Sequence, residues 1–122
     1  MKTIYESTFV SVGVCASQSL KDNFFITFGV GAPKDIADYC FIHRNEINEA
    51  DCLSAGAVMT IGEQDYPVTS VGSKARENLR DLGHLTVRFD GAEQAEFPGT
   101  VHVAGCAPAS IEPGRKFRLF RK

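Results

Sequence analysis

The sequence predicts an all-β domain, a small closed or partly closed barrel of about seven or eight short strands with one short helix at about 73–82. Three observations carry this. Apolar and polar residues alternate in short runs, Gly and Pro punctuate the chain between those runs, and only one segment has helical spacing. With 122 residues the chain suits one domain spanning 1–122. It is too short to cover both faces of a wide open sheet, and closing the sheet removes its edges.

Val10, Val12 and Val14 alternate with Ser11, Gly13 and Cys15, which predicts a first strand, and Phe24-Phe25-Ile26-Thr27-Phe28 predicts a second. Gly29 to Pro33 break the pattern, and Lys34 to Tyr39 fit one helical turn begun after the proline. Cys40 to His43 read as a short strand, and the polar stretch Arg44 to Asp51 as a loop. Ala57–Ile61 and Tyr66–Val71 form a hairpin around Gly62-Glu63-Gln64-Asp65. Ser73 is a suitable N-cap for the helix, Ala75, Leu79 and Leu82 form its apolar stripe, and Gly83 stops it. Leu85, Val87 and Phe89 alternate in the next strand, which ends at the turn Asp90-Gly91. Thr100–Ala104 and a basic strand with Phe117 and Leu119 on one face complete the set, the latter read as an edge protected by Lys and Arg.

Composition narrows the function classes. Thirteen Lys and Arg against fifteen Asp and Glu give a net charge of -2, too balanced for a phosphate-neutralising face, so nucleic acid is not an expected partner. No window approaches the about 18 apolar residues that span a bilayer, and the N-terminal residues lack an apolar signal region, so a cytoplasmic chain without membrane insertion is expected. Cys15, Cys40, Cys52 and Cys106 contain no C-x-x-C pair and are read as reduced thiols. Phosphate-loop, dinucleotide, zinc-protease and serine-hydrolase signatures are missing, and no cofactor is expected. Cys40-x-x-His43 with Cys52 supplies zinc-type donors but lacks a fourth ligand at diagnostic spacing, so no metal is expected.

Histidines then become the residues to sort, because an unperturbed pKa of about 6.5 leaves much of the ring neutral and nucleophilic. His43 closes an apolar segment and opens a polar one, which suggests a strand-end ring that reaches solvent. Strand parity puts Phe41 on its face, and Arg44 supplies an adjacent cation for an anionic group. His84 follows the helix stop and is a weaker supporting candidate, while His102 reads as a polar-face strand residue. In this reading Nε2 is the nucleophile, and Nδ1 donates to a backbone carbonyl or to a carboxylate such as Asp38 or Glu46. Tyr39, Phe41 and Ile42 are candidates for an apolar docking rim. The alternative is a non-enzymatic barrel that binds a small ligand or a regulatory protein.

The blocks Asp38–His43, Tyr66-Pro67-Val68-Thr69-Ser70-Val71-Gly72, Asn78–His84, Arg88–Gly91 and Glu96–Val103 together resemble the glucitol/sorbitol-specific enzyme IIA components of the bacterial sugar phosphotransferase system. The resemblance implies a small β-barrel phosphocarrier. It would receive a phosphoryl group from HPr and pass it to sorbitol-specific IIB and IIC permease components. It also implies that the acceptor is the histidine of the Tyr-Cys-Phe-Ile-His segment, here His43, and assigns no role to His84 or His102.

Overall fold

The computed structural model describes Met1–Lys122. Eight strands are connected in the closed order β1-β3-β2-β6-β7-β5-β4-β8, with β8 returning to β1. They are β1 (Lys2–Val12), β2 (Phe24–Gly29), β3 (Phe41–Asn48), β4 (Val58–Ile61), β5 (Gln64–Val71), β6 (Leu85–Arg88), β7 (Thr100–Val103) and β8 (Lys116–Arg121). Two short α-helices, α1 (Lys34–Ala37) and α2 (Ala75–Leu82), and 3-10 turns at Ala16–Asp22 and Ala50–Cys52 lie between strands. Neighbours pair antiparallel except β2 with β3 and β6 with β7, which run parallel.

The barrel interior is filled by the inward half of each alternation. Phe9, Phe25, Phe41 and Phe117 are fully buried and meet one another, Phe9 stacking on Phe117 at 5.6 Å between ring centroids. Each such side chain contributes about 1.5–3 kcal/mol by leaving water, and the aromatic pairs add to that. α2 adds Ala75 and Leu79 to the same core.

Several local expectations change. β1 starts at Lys2 and ends before Val14; its buried residues are Ile4, Tyr5, Ser7 and Phe9, whereas Val10 and Val14 are exposed and Val12 is half-buried against the core. Arg44–Asn48 form strand rather than loop, because β1 supplies backbone partners that polar composition does not reveal, such as Asn45 opposite Ser7 and Asn48 opposite Tyr5. The basic C-terminal segment is no edge: β8 is paired on both sides, with β1 and β4, and Phe117 and Leu119 point into the core. Ser73 does not cap α2. Lys74 occupies the N-cap without a side-chain cap bond, and its N–H donates to the Pro98 carbonyl of the β6–β7 connection at 2.9 Å. Leu82, assigned to the apolar stripe, is exposed.

Candidate functional site

His43 is the third residue of β3, and Phe41 and His43 share the inward face that parity assigns them. The expectation of a solvent-reaching ring at a strand end fails, since His43 is 1% exposed. The strand does not stop at His43, and its inward face is closed by β1 and β8: Tyr5, Phe9 and Phe117 surround the imidazole at 6.0, 6.2 and 5.6 Å between centroids.

Both ring nitrogens have partners. Nε2 lies 2.8 Å from the Gly83 carbonyl oxygen and Nδ1 lies 2.5 Å from Ser7 Oγ. A carbonyl only accepts, so Nε2 carries the proton and the Ser7 hydroxyl donates to the lone pair on Nδ1. Burial lowers the His43 pKa, outweighing the opposing effect of the Gly83 bond, and keeps the ring uncharged at neutral pH. The expected roles of the two nitrogens are therefore exchanged in this conformation. The partner of Nδ1 is a hydroxyl rather than Asp38 or Glu46; Glu46 is occupied by Thr8 and Lys116 at 2.9 Å each.

The cover on Nε2 is the turn that ends α2. Gly83 adopts φ +66° there, and a Cβ on it would stand 2.8 Å from Gly29 N and 3.1 Å from His43 Nε2. Only glycine permits both that left-handed backbone and that approach. The Gly83 carbonyl also accepts from Thr27 Oγ1 at 2.8 Å, which ties the turn to β2.

The supporting candidates do not join this group. Arg44 is exposed and, one position on in the strand, leaves from the opposite face; it borders a shallow depression of about 290 Å³ with Val10 and Val30. His84 sits in the covering turn, its N–H donating to the Asn78 carbonyl at 3.2 Å and its half-buried ring stacked on Phe28 at 5.0 Å. Burial lowers its pKa as well. Of the proposed rim, Phe41 and Ile42 are buried and Tyr39 is exposed. The four cysteines are free, and Cys40, His43 and Cys52 are not brought together as one group of ligand side chains.

His102 alternates with the core residues Val101 and Val103 as a polar-face strand residue does, but it too is buried, 1% exposed. It points away from the core, opposite Ser70 on β5 and Arg88 on β6. Its Nδ1 is 2.7 Å from Asp90 Oδ1, and its Nε2 has no partner. Burial pushes the Asp90 carboxyl up, but bonds from His102 and the Ala92 N–H outweigh it and hold it below the usual range.

Ser7 and the Gly83 carbonyl escaped the sequence reading. Tyr5-x-Ser7-x-Phe9 carries the parity that places the serine inside, whereas nothing in the sequence brings Gly83 to His43, 40 positions away.

No helix is long and apolar enough to cross a membrane. The chain is 51% identical over 115 residues to proteins of Shigella flexneri and of Escherichia coli strain K12, each named PTS system glucitol/sorbitol-specific EIIA component; the match covers 93% of this chain and 92% of each relative. The crystal structure of a PTS system IIA component from Enterococcus faecalis V583 superposes with a TM-score of 0.82 at 25% identity, covering 95% of this chain and 99% of that one. The family described as PTS system glucitol/sorbitol-specific IIA component matches residues 4–118, and the chain belongs to that family of phosphotransferase-system components.

Proposed function

We propose that this chain carries a phosphoryl group on His43 Nε2, received from HPr and passed to sorbitol-specific IIB and IIC components on the cytoplasmic side of the membrane. Membership of the family supports a carrier of the phosphotransferase system over the alternative of a passive ligand-binding barrel. The observation that carries the assignment to His43 is its neutral ring, held with a nitrogen against a turn rather than a strand.

Phosphoryl transfer between two imidazoles exchanges one P–N bond for another, with no redox change. The acceptor must offer a lone pair in line with phosphorus, and burial supplies the uncharged ring. The Gly83 turn withdraws to admit the donor, taking His84 with it. The bond to Gly83 and the packing of the turn on Gly29 then reform over the empty ring once the phosphoryl group has left.

Incubation with phosphoenolpyruvate, enzyme I and HPr, followed by peptide mass mapping, tests the assignment. The expected result is an acid-labile phosphoryl group on the His43 peptide, absent from His43→Gln and present in His84→Gln and His102→Gln. Label on His84 or His102 with His43 unmodified, or relay by His43→Gln, overturns it.

A further inference from the structure

We infer that Ser7 is a positioning residue that lets His43 exchange its ring tautomer between the empty and phosphoryl-bearing states. This rests on the assignment of His43 as acceptor. Ser7 lies on β1, fully buried, two residues from the Phe9 that pairs with His43, so the barrel register aims its hydroxyl at Nδ1.

The two nitrogens have covers of different kinds. Nδ1 faces a strand bonded on both sides, to β3 and to β8, whereas Nε2 faces the turn at the end of α2. Opening the first requires breaking the barrel wall, and opening the second requires shifting a turn, so Nε2 is the nitrogen that meets a donor. Yet Nε2 carries the proton in the closed state, because its partner is a carbonyl. Before attack the shifted turn lets solvent water take the proton from Nε2 and return one to Nδ1, so the ring's proton count does not change.

A hydroxyl suits this exchange because it both donates and accepts. In the closed state Ser7 donates to the Nδ1 lone pair. Once Nδ1 is protonated, the Nδ1–H donates to the Ser7 oxygen and the hydroxyl hydrogen rotates away. A carboxylate at this position would accept only, fixing the proton on Nδ1, and an alanine would leave Nδ1 buried without a partner. In the transfer step the Nε2 lone pair forms the new P–N bond, the donor's P–N bond breaks with its electron pair staying on the donor nitrogen, and Nδ1 keeps its proton against Ser7.

Nitrogen-15 NMR of the His43 ring, with phosphoryl uptake measured from phosphoramidate and from phospho-HPr, tests the inference on wild-type, Ser7→Ala and Ser7→Thr proteins. The wild-type ring is expected as Nε2–H when empty and as Nδ1–H with phosphorus on Nε2 when loaded. Folded Ser7→Ala, assayed below its melting temperature, is expected to take up phosphoryl about tenfold or more slowly from both donors, and Ser7→Thr to restore the rate. A purely structural serine would change melting without changing the rate or the tautomer. Wild-type uptake by folded Ser7→Ala, or phosphorus on Nδ1 of His43, overturns the inference while leaving His43 as acceptor; a label on another residue overturns both.

Discussion

His43 and His102 are equally buried but lie on opposite sides of the barrel wall. His43 points inward among Tyr5, Phe9 and Phe117, with neutral partners on both nitrogens. His102 points outward beneath the β6–β7 connection, held by the Asp90 carboxylate on one nitrogen and by nothing on the other. Burial in the apolar pocket keeps the His43 ring uncharged against the opposing effect of the Gly83 carbonyl. Two equally buried histidines thus differ in their partners, a hydroxyl and a carbonyl for His43 and a carboxylate for His102.

The sharpest way to break this contrast is exchange at the two rings. If His43 is the acceptor, His43→Gln is expected to abolish phosphoryl uptake and His102→Gln to retain it, checked by mass after incubation with the donor proteins. Gly83→Ala should come next. Its left-handed backbone alone costs about 1–2 kcal/mol, and the added Cβ presses on Gly29 and on His43 Nε2; denaturant unfolding is expected to show a larger loss than that, with a perturbed His43 ring signal. Asp90→Ala strips His102 of its only side-chain partner and should cost about 1–3 kcal/mol in the same measurement, with uptake at His43 unchanged.

The smallest effect expected is a pH dependence. Because the folded-state pKa of His43 is depressed, the unfolded chain binds more protons below about 6.5, and stability conferred by the neutral ring is present above that pH and lost as pH falls toward the folded value. Unfolding free energy should decline below about pH 6.5 by at most about 1.4 kcal/mol per pH unit for this one group. His43→Gln should reduce that slope, leaving the part due to His84, whose pKa burial also lowers.

Alternation made the core legible: Phe41 with His43, Val87 with Phe89, and Phe117 with Leu119 take the faces their spacing assigns. Gly83 was legible too, as a residue that ends a helix in left-handed geometry. Strand β3 beyond His43 was not, because its exposed residues owe their conformation to backbone pairing with β1 and not to side-chain pattern. For the same reason the polar composition after His43 points to an exposed loop where the fold places a paired strand.

By itself the sequence determined the all-β character, the inward parity of each strand and, through ordered blocks of residues, the family, since these depend on residue type and short spacing. Tertiary structure alone decided that Ser7 and Gly83 hold the His43 ring, that Arg44 stands outside it and that the C-terminal strand closes the barrel. Those contacts join positions 36 and 40 residues apart for the ring, and nothing local encodes which strand becomes whose neighbour when a sheet closes on itself.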